Sequence, residues 1–164
     1  MDAKRTALIA GNWKMNGLKS DAKKLSSQLV KRMAKQTKPD FDMVVCPPFP
    51  LLALVGDTLK GSGIKMGSQD NHSQGAGAHT GDTSPALLKN IGCRYAIVGH
   101  SERRTDHGET DAQVKAKAEA AIAAGLTAIV CIGETLKQRK AGRTISTNRK
   151  QLQGSLPKDA TAKN

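Results

Sequence analysis

The sequence predicts an α/β fold built on parallel strands. Five apolar runs of strand length recur along the 164 residues, at 7–10, 43–46, 64–67, 95–98 and 127–132. Helix-length segments separate them, and strict strand–helix alternation calls for crossover connections and parallel pairing. Polar residues also follow the strands directly, with Asn12 and Lys14 after the first run and His100 and Glu102 after the fourth. The C-terminal strand edge is where open and closed α/β sheets carry their chemistry.

Each element follows from local pattern. After the first run, Leu18, Ala22, Leu25, Leu29 and Met33 recur at steps of three and four and form one apolar helical stripe. The second run leads to Pro50, whose fixed φ suits the first turn of a helix, and then to Leu51-Leu52-Ala53-Leu54-Val55. The third leads into a Gly-rich loop over 70–83, a length that points to capping a site or meeting a partner chain. Ser84-Pro85 opens the next helix and Gly92 closes it. Beyond the fourth run, Thr110-x-x-Gln113 is a capping box, Val114, Ala118, Ala121 and Ile122 make the stripe, and Gly125 ends it. Two segments follow the fifth run, 134–141 and 145–153, with Pro157 stopping the second. The continuous apolar character of the five runs predicts strands covered on both faces.

Two architectures satisfy this order, an open doubly wound sheet and a (β/α) barrel. The dinucleotide fingerprint G-x-G-x-x-G is missing, since Gly75-x-Gly77 meets Thr80 and Gly61-x-Gly63 meets Met66. No phosphate loop of the G-x-x-x-x-G-K-[ST] type occurs either, so nucleotide binding is not expected.

Composition narrows the functional classes. Aromatic residues make up 2% of the chain, so the core rests on Ala, Leu, Ile, Val and Met. Cys46, Cys93 and Cys131 are odd in number and far apart, which argues against zinc and dithiol motifs and for a reducing, cytoplasmic setting. No run approaches the ~20 apolar residues of a membrane span, and the first apolar run is too short for a signal peptide. The Asn71-His72-Ser73 sequon is then a chance match. Net charge is +12, concentrated as +6 over 19–38 and +7 over 137–164. Such clusters read as solvated outer helix faces or as a nucleic-acid patch, and the scarcity of stacking aromatics argues against the latter.

Residue chemistry points further. Asn12 and Lys14 alternate along an extended segment and so share one face, where an ammonium suits an anionic substrate such as a phosphate or carboxylate. His100, at a strand end, is a candidate proton donor or acceptor. Ser101, His100 and Glu102 are too close in sequence to converge as a triad, and Glu102 is better suited to pairing with a cation such as Lys14. His72 and His79 fit no metal-ligand spacing, so no metal site is expected.

Four blocks, in order, then resemble the triosephosphate isomerase family. They are Gly-Asn-Trp-Lys-Met-Asn at 11–16, Gly-Ala-His-Thr-Gly-Asp at 77–82, Val-Gly-His-Ser-Glu-Arg-Arg at 98–104 and Val-Cys-Ile-Gly-Glu-Thr at 130–135. The resemblance covers essentially the whole chain. It implies a (β/α)8 TIM barrel with about five β/α units present, residues 1–164 being the N-terminal portion of a single barrel domain. It implies interconversion of dihydroxyacetone phosphate and glyceraldehyde 3-phosphate through an enediolate, without cofactor or metal, by a cytoplasmic homodimer. Asn12 and Lys14 would bind substrate, His100 would polarise the carbonyl as a neutral electrophile, and Glu102 would hold Lys14. Thr80, at the tip of the 70–83 loop, would reach the partner subunit, and Cys131 would be a buried neighbour of the site. The family's base is a glutamate on the sixth strand, before which this chain ends, and neither Glu109 nor Glu134 matches it. A catalytically inactive isomerase fragment and a basic nucleic-acid-binding protein are the alternatives to an enzyme.

Overall fold

The computed structural model describes residues 6–161. They fall into two compact units, one made of residues up to Gln69 with 90–95, the other of 70–89 and everything from Ala96 on.

The first unit holds β1 (Ala7–Asn12), α1 (Lys19–Met33), β2 (Phe41–Cys46), a 3-10 turn (Phe49–Leu51), α2 (Leu52–Leu59) and β3 (Lys65–Ser68). β1 and β2 pair in parallel from Ala7 opposite Phe41 to Asn12 opposite Cys46, and β2 pairs in parallel with β3 through Val44 opposite Lys65. β2 lies between two strands, and Val44, Val45 and Cys46 are buried with Leu52, Val55, Leu59 and Met66. Gly67 is required by close approach, because a Cβ there would stand 2.8 Å from Cys46 Sγ and 3.1 Å from Tyr95 Cβ.

Two expectations fail in this unit. β1 is not covered on both faces, since Ala7 to Ala10 are exposed and Ile9 retains 52% of its surface. Among the described residues β1 has β2 as its one partner strand and little packed on its faces, so its apolar content outruns its burial. Leu18 is not part of the α1 stripe. It sits at the cap, 74% exposed, and its N–H donates to Asp21 Oδ2 at 3.0 Å, while Ala22 is fully buried.

The second unit holds the 70–83 loop, α3 (Pro85–Asn90), most of β4 (Tyr95–Val98), α4 (Ser101–Asp106), α5 (Asp111–Ala123), β5 (Thr127–Val130), α6 (Leu136–Lys140) and α7 (Thr144–Ser155). Its core gathers Val98, Val114 and Ala118, with Ala128 and Val130 packed against them. The expected capping box forms, with Thr110 Oγ1 accepting from Gln113 N–H at 3.3 Å and Gln113 Oε1 accepting from Thr110 N–H at 2.8 Å. Thr135 and Gln138 repeat it at the start of α6. Ser84 Oγ accepts from Leu87 N–H at 3.3 Å, as its position before Pro85 predicts.

α4 is an addition to the sequence reading. Its six residues are too few to display apolar periodicity, and its start is set by a side chain instead. β5 stops at Val130, two residues short of the apolar run, and Ile132 is exposed. Gly154 lets α7 lie close on α5, since a Cβ would be 2.7 Å from Asp111 Cβ. Among the described residues no helix is long and apolar enough to cross a membrane.

Candidate active site

In the first unit the chain leaves β1 through a tight turn that presents Lys14. Lys14 has φ 52°, a left-handed conformation that a residue with a Cβ adopts at a cost of roughly 1–2 kcal/mol. Local bonds hold it there. Asn12 Oδ1 accepts from Lys14 N–H at 2.9 Å, and Asn16 Nδ2 donates to Trp13 O at 3.0 Å. Gln69, just past β3, donates through Nε2 to Lys14 O and Cys46 O, both at 2.8 Å, and Trp13 N–H donates to the same Cys46 carbonyl at 3.1 Å. One amide thus ties the exits of β1, β2 and β3. Asn12 spends its oxygen on the turn and keeps its Nδ2 hydrogens for other acceptors. Gln69 escapes sequence reasoning because it belongs to no motif block, and only strand pairing brings it to this turn.

In the second unit β4 ends at Val98, and Gly99 (φ 67°) turns the chain so that His100 becomes the N-cap of α4. A Cβ on Gly99 would be 2.6 Å from Val114 Cγ1, so only glycine fits. His100 Nδ1 accepts from Glu102 N–H at 3.3 Å, and Glu102 Oε2 lies 3.4 Å from the same nitrogen. In the first contact Nδ1 serves as the acceptor, which leaves Nε2 as the ring nitrogen placed to donate. Such a ring is a hydrogen-bond donor through Nε2, as polarising a carbonyl oxygen requires. His100 is largely buried and Glu102 is half exposed.

Two charge networks brace this turn from below. Arg104 Nε donates to Gly99 O at 2.9 Å, Nη1 to Asp111 Oδ1 at 2.6 Å, and Nη2 to Ser155 Oγ at 2.9 Å and Cys131 O at 3.2 Å. One guanidinium therefore joins the ends of β4 and β5 to α5 and α7, using the fork that distinguishes Arg from Lys. Lys117 Nζ meets Asp70 Oδ2 at 2.7 Å and Glu109 Oε1 at 2.5 Å, and Arg103 bridges the same two carboxylates at 3.0 and 2.6 Å. Burial raises the Asp70 carboxyl above its ordinary range despite its cations. Burial also pushes Glu109 upward, but hydrogen bonds and charge from Lys117 and Arg103 outweigh it and hold that carboxyl low. Glu109 is thus a fixed structural anion.

Glu134 is likewise engaged. Its oxygens accept from Arg139 Nη1 at 3.1 Å, Thr144 Oγ1 at 3.2 Å and Asn148 Nδ2 at 3.2 Å. Its own main-chain N–H and Asn148 hold its carboxyl below the usual range. Gly133 beside it exchanges two bonds with Gln151, at 2.7 and 3.1 Å. Cys131 is half-buried rather than buried, and burial raises its thiol above the ordinary range. Thr80 is exposed within the 70–83 loop, whose ends are joined by His72 N–H donating to Thr83 O at 2.9 Å. Asn12 and Lys14 lie in the first unit, whereas His100, Glu102, Thr80 and Cys131 lie in the second.

Parallel β/α units with an amide, an ammonium and an imidazole at strand C-termini define the class, an α/β protein of the TIM-barrel type with five β/α units present. A profile of the triosephosphate isomerase family matches residues 7–164. The triosephosphate isomerase of Bradyrhizobium diazoefficiens is 54% identical over 157 residues, covering 96% of this chain and 62% of that protein. That of Gluconacetobacter diazotrophicus is 51% identical over 150 residues, covering 92% and 60%. The crystal structure of triosephosphate isomerase from Bartonella henselae superposes with a TM-score of 0.89 at 42% identity, over 97% of this chain and 65% of that one. The chain belongs to the triosephosphate isomerase family. It spans about three-fifths of the length of the curated relatives it matches.

Proposed function

We propose that residues 1–164 are the N-terminal portion of a barrel domain that interconverts dihydroxyacetone phosphate and glyceraldehyde 3-phosphate by proton transfer through an enediolate. Family membership supports this reading, and the placement of His100 at the end of β4, with its Nδ1 engaged by a main-chain amide, carries it. An imidazole whose Nδ1 accepts a main-chain N–H presents Nε2–H to a carbonyl oxygen and stabilises the oxyanion as it forms. Lys14 binds the substrate's negative charge and Asn12 adds an amide donor, on a turn whose backbone is already bent to the required shape. Glu102, beside His100, takes the carboxylate role that the family's pattern gives this position. No cofactor or metal takes part. The 70–83 loop joins two chains through Thr80 on its exposed 74–82 stretch, and the three free cysteines suit a reducing cytoplasm.

The test measures isomerisation of dihydroxyacetone phosphate and, separately, inorganic phosphate binding by calorimetry. His100→Gln should lower turnover by ~10²–10⁴-fold, the range for loss of an acid–base group. Lys14→Ala should abolish phosphate binding. Turnover indifferent to His100→Gln, or a chain with neither turnover nor phosphate binding, ends the proposal.

A further inference from the structure

β3 starts at Lys65, at the end of the strand opposite Gln69. A cleft of about 550 Å³ opens there within the first unit, between α2, the turn at 61–63 and the segment 90–94. Its size falls inside the roughly 300–1,000 Å³ of small-molecule sites. We propose that this cleft binds an aromatic phosphate monoester, held at its phosphate by Lys65 and Arg94 and at its ring by Met66.

The charge around the cleft is unbalanced. Asp57 is the one carboxylate among the lining residues, and Lys60 Nζ occupies it at 2.8 Å. Lys60 itself follows the C-terminus of α2, where a cation complements the helix dipole. Lys65 and Arg94 have no such role. They stand at the start of β3 and just before β4, and Arg94 N–H donating to Met66 O at 2.8 Å brings the two strands together there. Two cations without a lining carboxylate match the charge of a phosphate monoester, and Arg adds a fork that grips two of its oxygens. Beside them the cleft is apolar. Ile91 is half exposed and Met66 is buried. Gly56 makes the room, since a Cβ there would stand 3.1 Å from Met66 Cε and 3.3 Å from its Sδ. A polarisable thioether and a guanidinium both favour an aromatic face. The cleft lies at the N-terminal end of β3, whereas the proposed substrate residues follow strand C-termini, and it includes none of the 74–82 stretch. It does not depend on the chemistry of either.

α-Naphthyl phosphate is titrated into the full chain by calorimetry, with the Met66 methyl followed by NMR after methyl labelling of methionine. One molecule per chain and a displaced Met66 methyl are the expected result. Arg94→Ala and Lys65→Ala should each weaken binding ~5-fold, the scale of a partly exposed ion pair. Gly56→Leu should abolish it by filling the slot. Inorganic phosphate and α-naphthol, each carrying half of the ligand, should bind at least ~10-fold more weakly. Lys31→Ala, which removes an exposed cation of α1 outside the cleft, should leave affinity unchanged. Lys14→Ala should leave the Met66 methyl displaced, so the cleft and the strand-exit reading fail separately. Absent binding, an unmoved Met66 methyl, equal binding of inorganic phosphate or of α-naphthol, or undiminished affinity in Arg94→Ala overturns the site. Circular dichroism shows whether a loss in Gly56→Leu reflects unfolding, in which case the exposed substitution Arg94→Ala decides.

Discussion

At the residue scale, the candidate site depends on two backbone positions that ordinary residues resist. Gly99 combines a left-handed φ with a neighbour, Val114, that leaves no room for a methyl group. Gly99→Ala is expected to destabilise the chain by about 2–4 kcal/mol, adding backbone strain to overpacking. Urea denaturation checks this through the midpoint, and an unchanged midpoint contradicts it. Lys14 holds the same region of φ without a glycine, and its cost is met by Asn12 and Gln69. The two exits thus differ in kind, one bent by the absence of a side chain and the other by hydrogen bonds that reach across strands.

At the element scale, α5 organises the second unit. It supplies Val114 and Ala118 to the core, Lys117 to the four-charge network and, at its first residue, Asp111 to Arg104. Lys117 stands between two carboxylates of opposite tendency. The low pKa of Glu109 adds stability above the ordinary carboxylate range and loses it as pH falls. The raised pKa of Asp70 has the reverse sign, least costly at low pH and unfavourable as pH rises through its folded value. Lys117→Met removes one of the two cations that both carboxylates share and leaves Arg103, so both carboxyls move up. The variant is expected to lose ~2 kcal/mol near neutral pH, where two buried carboxylates keep only Arg103 between them, and to recover part of that below the carboxylate range. Thermal melts across pH measure it, and a deficit independent of pH refutes it.

At the scale of the whole molecule, the exposed 74–82 stretch of the 70–83 loop is the surface to which self-association is assigned. Thr80→Arg is expected to shift the sedimentation coefficient toward that of a single chain, and wild type should sediment faster as concentration rises. A coefficient that is constant with concentration in both proteins removes the loop from any such role. Within the basic stretches 19–38 and 137–161 the cations of α1 and α6 lie on solvated helix faces. The exposed β1 shows the other side of the same balance, because its apolar residues have one strand neighbour and few packed layers.

Much of this was legible in the chain before folding was considered. Continuous apolar runs, helical stripes at steps of three and four, the Thr110–Gln113 box and the stops at Gly92 and Gly125 are local facts, so the order of strands and helices follows from short stretches alone. The motif blocks likewise point to Asn12, Lys14, His100 and Glu102, because strand ends are recognisable one at a time. Contacts between distant segments are a different matter. Gln69 spanning two strand exits, Arg104 joining four elements, and Lys65 and Arg94 drawn to one cleft each require residues up to 55 positions apart to meet. No window along the sequence contains such a meeting, and only the packed chain brings it about.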